Sequence, residues 1–396
     1  DAMDAYNQQL VKKIAVKSIA QTNLMGTSGY LYLQALIPQA QGAPKARIEF
    51  EQKTKSGIKR TTKLVSAPFD LYQASGELTS YQGMVLQDFD ARPWSNSIQV
   101  GLTKRLGVGE VMGDIAELDL RRLQIRETIK THLQKEAMLY QRGIKVLSLF
   151  FIDQVAHYKA YDDNHQALNG DYATIFEEEY DKQVSRYLRE HKQEPNGYYR
   201  YLERYQEARL VHAGYFSIDK VKKSDKTIFV DYKKKSEKGK DSSDKDAYDL
   251  IMRDKERLLS FDEPVRFIFS HSALKEGWDN PNVFQICTLK TSHAETRKRQ
   301  EIGRGMRLCV NQNGNRQDAS LLGESKVHDI NKLTVIANES YDSFARSLQA
   351  ELREVLKDKA YKLDSKFLPG KTLTNANGEQ LIMDEELAEQ VLTQLK

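Results

Sequence analysis

The sequence predicts an α/β fold, a mainly parallel sheet flanked by helices, with a small antiparallel β-rich domain inserted near its start. Three observations carry that prediction. From about residue 110 onward, short apolar runs alternate with long helical patterns, which is the order of a parallel sheet with crossover helices. Between residues 29 and 107 the texture is different: short stretches alternate apolar with polar residues and are separated by turn residues. A short amphipathic segment precedes that β-rich stretch, so the stretch interrupts the α/β body rather than leading it.

Residues 1–28 read as a lead-in to the α/β body, with Tyr6, Leu10 and Ile14 on a helical spacing. In the β-rich domain, 29–107, Leu31, Leu33, Ala35 and Ile37 alternate with their neighbours, as do Ile48 and Phe50, and Met84 and Leu86. Lys55-Ser56-Gly57 falls between two such stretches and reads as a hairpin turn. The α/β body is expected over 108–340. It opens with a long charge-laced helix from Ile115 to Tyr140, stopped by Gly143 and followed by an apolar run from Ile144 to Ile152, as a buried parallel strand requires. Strand-like runs recur at Ala208–Phe216, Val265–Phe269, Val283–Leu289 and Leu333–Ala337. Helices are expected between them, at Phe176–His191 and Ala247–Leu259, and after the last at Ser340–Lys357. The charge-dense stretch 220–246 reads as an exposed, flexible insertion, and 341–396 as a helical or linker segment.

Composition is that of an ordinary globular chain, with 40% hydrophobic and 29% charged residues among 396. Sixty basic against 56 acidic residues leave a net charge of +4, too small to argue for a nucleic-acid partner without a local patch. Two cysteines, Cys287 and Cys309, exclude a disulfide framework and a multi-cysteine zinc site, and fit a cytoplasmic setting. The eight histidines fall into no metal-binding spacing, so no metal site is expected. The longest apolar run is far too short to span a membrane.

The chemistry concentrates between Phe267 and Val310. An apolar strand ends at Ser270-His271-Ser272, and polar groups at the carboxyl end of a parallel strand sit where α/β sheets bind ligands. Next come Gly277 and Asp279: a glycine lets backbone approach a ligand, and a carboxylate two residues on can accept from a hydroxyl. A loop whose aspartate caps a turn would look the same. After the following strand, Gln300, Arg304 and Arg307 would line one face if the segment is helical. Gly303 and Gly305 would each cost such a helix about 1 kcal/mol, which close approach to another surface would explain. Paired guanidiniums suit the charge that spreads in phosphoryl transfer; a solvated basic helix is the plain alternative.

Gly277-x-Asp279 followed by Gln300-x-x-Gly303-Arg304-x-x-Arg307 resembles motifs V and VI of superfamily 2 helicases and translocases. The wording from Phe269 to Val283, then Arg299 to Gly305, resembles the Res subunit of type III restriction–modification systems more closely. Gly143 to Asp153, at the place of motif IV, and Asn331 to Tyr341 are similar to that family too, so the resemblance covers roughly residues 1–357. It implies a second RecA-like motor domain in an ATP-dependent enzyme that moves along double-stranded DNA and licenses its cleavage. Arg304 and Arg307 would reach, with Gln300, toward ATP and Mg2+ held mainly by a first RecA-like domain. Gly277, Asp279 and Gly303 would lie by the nucleotide, and Ser148, His271, Ser272 and Lys275 by the nucleic acid. His271 and Ser272 stand where many relatives carry Thr-Asp. The implied partners are DNA, modification (methyltransferase) subunits, and the first RecA-like and nuclease domains of the same polypeptide; no membrane is implied. The β-rich domain matches the family's accessory insertion in position.

Two short motifs are expected to be incidental. Gly370-Lys371-Thr372 lacks the first glycine of a phosphate loop, where Ser365 stands, and has no strand-to-helix setting; Asp384-Glu385 follows it too soon to complete a nucleotide fold. Asp231-Tyr232-Lys233 fits a short nuclease pattern without an acidic partner upstream. The chain is therefore expected to be a fragment that neither grips ATP nor cuts DNA alone. Another superfamily 2 motor without a nuclease, or an inert DNA-binding scaffold that keeps the fold, would be the alternatives.

Overall fold

The computed structural model describes residues 2–19, 21–22, 29–92, 95–113, 115–162, 166–220, 227–230, 250–251, 254–271, 279–289, 300–337, 372–374, 380–382 and 384–385. The chain divides into two compact units, Asp1–Phe344 and Ala345–Lys396. The first is built on six parallel strands: β1 (Lys13–Ser18), β11 (Leu147–Ile152), β14 (His212–Tyr215), β17 (Phe267–His271), β18 (Val283–Leu289) and β19 (Lys332–Ala337). Their order across the sheet is β1-β19-β18-β11-β17-β14. Every residue of central β11 is buried, which is why Leu147 to Ile152 is nearly all apolar.

The excursion from this sheet begins directly after β1. Five strands, β2 (Gln21–Thr22), β3 (Leu31–Ile37), β4 (Lys45–Thr54), β5 (Gly57–Val65) and β10 (Val111–Met112), make one sheet. Four more, β6 (Phe69–Asp70), β7 (Val85–Asp90), β8 (Ser97–Val100) and β9 (Lys104–Gly107), make another. Leu33, Ile48 and Phe50 from the first meet Leu86, Ile98 and Leu106 from the second in a common core. The expected turn is there: Thr54 pairs with Gly57 across Lys55-Ser56, and Gly57 takes φ +110°. β3 is buried along Leu31–Gln34 because its other face matters as well. Tyr30 and Tyr32 join the core of the parallel sheet. The fold is thus α/β and RecA-like, with an inserted β-rich domain.

Helix α3 (Glu117–Tyr140) returns the chain to the main sheet and ends at Gly143, whose φ of +67° lets its N–H turn back to the Tyr140 carbonyl. It packs against the sheet and against α4 (Asp171–Glu190). One expectation needs correcting. The helical spacing of Tyr6, Leu10 and Ile14 is not one helix: the helix covers only Ala2–Asn7, and Ile14 lies in β1, paired in parallel with Leu333. The coincidence arises because a helix end, a bend and a strand happen to place apolar residues four apart.

Ser217–Lys220 and Thr227–Val230 form a hairpin; the rest of the expected insertion, with Asp231-Tyr232-Lys233, lies outside the described residues, as does Ser340–Lys357. In the second unit Thr372 opens a strand, Thr372–Thr374, that pairs antiparallel with Gln380–Ile382. A phosphate loop needs that threonine at the start of a helix, so the hairpin supports reading Gly-Lys-Thr as incidental. Among the described residues no helix is long and apolar enough to cross a membrane.

Candidate functional site

The two groups of site residues come to opposite edges of the sheet. His271 is the last residue of β17 and pairs with Ile152 at the carboxyl edge. Asp279, by contrast, precedes β18, whose first residue Val283 pairs with Leu147 at the amino edge. Arg307 forms an isolated bridge to Val11, two residues before β1, at that same amino edge. There Arg307 Nε donates to Asp279 Oδ2, and Lys255 Nζ stands 4.0 Å from the other carboxylate oxygen. The Arg307 side chain is 66% exposed and that of Asp279 20%, so the pair faces solvent from a carboxylate-anchored root.

The segment carrying the arginines departs from the expected single helical face. Residues 300–303 are helical, with Gln300 exposed. The turn then tightens, Arg304, Gly305 and Met306 each donating to the carbonyl three residues back. Arg304 is half-buried in that turn, while Arg307 already lies in extended backbone. The bridge to Val11 ends the helix, so Gln300 and Arg307 do not share a helix face. The two glycines also differ. A Cβ on Gly305 would stand 2.8 Å from Leu333 Cδ1 and 3.3 Å from Val283 Cγ1, whereas one on Gly303 would meet nothing. Close approach therefore accounts for Gly305 alone.

Ser148 needs a correction as well. It was expected near nucleic acid, but it is fully buried in β11, where its hydroxyl donates to Gln285 Oε1 at 2.8 Å and meets His132 Nδ1 at 2.8 Å. A hydroxyl locked between two core side chains has no path to a phosphate. Ser272, Lys275 and Gly277 lie outside the described residues.

Sequence reasoning missed the residues that hold this edge together. Asn282 closes on Val310 in both directions, donating to its carbonyl and accepting from its N–H at 2.9 Å each. Asn331 accepts from the Cys309 N–H at 2.9 Å and donates to the Gln317 carbonyl at 2.8 Å. Lys12 is buried completely, and that burial pulls its ammonium down to about 7. It donates to the carbonyls of Pro281 (2.6 Å), Gly305 (3.0 Å) and Arg307. Buried asparagines flanking Pro281 were a usable signal, since buried amides must find partners; a lysine beside Val11 offered none. A separate cavity of about 850 Å3, lined by none of these residues, lies between the β-rich domain and helices α3 and α4. Its charges are largely spent on one another, as in Arg122 with Glu178 and Arg60 with Asp119.

No family model matches the chain. Over 192 residues it is 41% identical to the Res subunit of the type III restriction-modification enzyme EcoP15I of Escherichia coli, a match covering 48% of this chain and 17% of that protein. The EcoPI Res subunit of Escherichia phage P1 is 42% identical over 191 residues, with the same coverage of 48% and 17%. The StyLTI Res subunit of Salmonella typhimurium is 33% identical over 214 residues, or 49% of this chain and 20% of that protein. The chain thus spans about one fifth of the length of the curated relatives it matches. Over about half of its own length, then, it is similar to the Res subunits of type III restriction-modification enzymes.

Proposed function

We propose that this chain works as the second RecA-like motor domain of a type III Res subunit, supporting ATP-dependent movement along double-stranded DNA that licenses cleavage. The domain would comprise residues 108–340 with the lead-in 1–28, the accessory domain 29–107 and a connecting segment 341–396. The observation that carries the reading is the Asp279–Arg307 pair on the amino edge of the sheet, with His271 on the carboxyl edge. A motor must keep its nucleotide and its track apart yet couple them, and one strand length of rigid sheet does both.

The donor set at the amino edge fits one side of an ATP. Bound there, ATP supplies the phosphoryl group, and its Mg2+ and phosphates would be gripped mainly by a first RecA-like domain. Arg304 and Arg307 would stabilise charge on the phosphoryl oxygens, Asp279 would orient Arg307, and Gln300 and Gly303 would border the nucleotide, a role the resemblance extends to Gly277, outside the described residues. His271 would contact the DNA, a role the resemblance extends to Ser272 and Lys275, which lie outside the described residues. Modification subunits supply the recognition of sequence, and a nuclease domain the cut.

The test is DNA-stimulated ATP hydrolysis with the first RecA-like domain and the modification partner present. Arg304→Ala and Arg307→Ala are each expected to lower turnover by about 10³-fold or more, with nucleotide affinity changed far less. His271→Ala is expected to weaken stimulation by DNA more than basal hydrolysis. Unchanged turnover in both arginine variants would sink the assignment.

A further inference from the structure

We infer that Lys12 is the positioning residue for the arginine-bearing turn: a buried ammonium that fixes the turn against the Asp279 loop by collecting the backbone carbonyls of Gly305, Arg307 and Pro281. The inference rests on the proposed motor function for its consequence, but its geometry stands by itself. An ammonium has three N–H donors, and here three carbonyls receive them, those of Pro281, Gly305 and Arg307. The carbonyl between the last two, of Met306, accepts from the Lys12 backbone N–H at 2.8 Å. One residue therefore takes three consecutive carbonyls of the arginine segment and one from the loop that follows Asp279.

The arrangement is local to the site. Arg307 is itself bridged to Val11, the neighbour of Lys12, and Gly305 is pressed on Leu333, which pairs with Ile14 of β1. The turn is thus held by Val11 and Lys12 on one side and by Leu333, the strand partner of Ile14, on the other. A fully buried ammonium is costly compared with an apolar side chain of similar length, and what it brings here is the convergence of two separate loops on one point. With its backbone fixed at 305 and 307, the Arg307 side chain has a short, defined reach to Asp279; without that anchor, the two loops can separate.

Two readouts test this on the full-length subunit assembled with its modification partner. In the absence of nucleotide, Lys12→Met is expected to raise amide hydrogen exchange at least about tenfold in residues 279–283 and 304–310, while β11 and β17 keep their protection. With ATP and DNA, the same variant is expected to lower kcat about 10- to 100-fold, as a displaced catalytic group does, with KM for ATP shifted less than about threefold. Combined with Arg307→Ala, it should add little further loss, because both changes remove the same contact. Exchange that is unchanged, or raised evenly across the sheet, overturns the inference, as does a fully additive double variant. Should Lys12→Met fail to fold, Lys12→Gln, which keeps two N–H donors, is held to the same criteria. If instead Arg304→Ala and Arg307→Ala both leave turnover intact, the motor reading fails, and the exchange experiment still decides the anchor.

Discussion

Glu136 and Arg266 meet where neither has any access to water. Arg266 Nη1 donates to Glu136 Oε2 at 2.5 Å, and the same oxygen accepts from Tyr198 at 2.9 Å, while Arg266 also binds the Tyr180 hydroxyl. Burial resists ionisation of Glu136, but Arg266 and then His132 outweigh it and hold the carboxyl down at about 2. Because this pKa lies below that of an unfolded glutamate, the pair stabilises the fold fully above about pH 4.5. That contribution is lost as the pH falls from there toward 2, and is on the order of 3 kcal/mol. Glu136→Gln should cost about 3–5 kcal/mol at neutral pH, since it strands a buried guanidinium, and should flatten the acid limb. Urea unfolding of both proteins between pH 3 and pH 7 measures this; parallel curves would refute it.

At the scale of elements, the two glycines of the arginine segment separate packing from reach. Gly305→Ala should displace the turn from Leu333 and Val283 and destabilise the fold by about 1–3 kcal/mol. Gly303→Ala has open space around it and should fold with unchanged or slightly higher stability. Thermal melts of the two variants check the contrast, and equal losses would contradict it. The same segment marks the limit of what the sequence reveals. The buried strand β11 and helix α3 were legible because periodicity and length depend on local burial. Gln300, Arg304 and Arg307 were legible as a group by their order, but their common helical face was not there to be read. The helix ends through a bridge to Val11, nearly 300 residues earlier in the chain, and no local pattern encodes a partner so distant. Ser148 failed for a related reason: within an otherwise apolar, fully buried strand its hydroxyl had to be satisfied inside the core, by His132 and Gln285.

For the whole molecule, the question is how the inserted β-rich domain is tied to the six-stranded parallel sheet. The nesting itself followed from the order of composition regimes, with alternating strands falling between a lead-in and an α/β body. The joint did not, because Arg126 on α3 reaches Glu49, 77 positions away on β4, and Glu179, 53 positions away on α4. Its guanidinium donates at 2.6 Å to the first and 2.7 Å to the second, and both carboxylates are almost fully buried. Beside it Tyr30 donates to Glu49 at 2.8 Å, and Arg60 lies over the Tyr30 ring. Glu179 has further cations in Arg122 and Lys182, but for Glu49 the nearest ion pair is the one with Arg126. Arg126→Met keeps the bulk and removes the bridge, so the strain should fall on the β-rich side. We expect a loss of about 3–5 kcal/mol, the cost of leaving a buried carboxylate without its counter-charge, expressed unevenly. Amide exchange in β3, β4 and β5 should rise well before that in β11, β17 and β18. The β7–β8 ladder, which among the described residues makes no contact with Arg126, should respond less than β4. An equal rise in every strand would mean that the insertion and the parallel sheet unfold as one body, with Arg126 a general contributor rather than the joint between them.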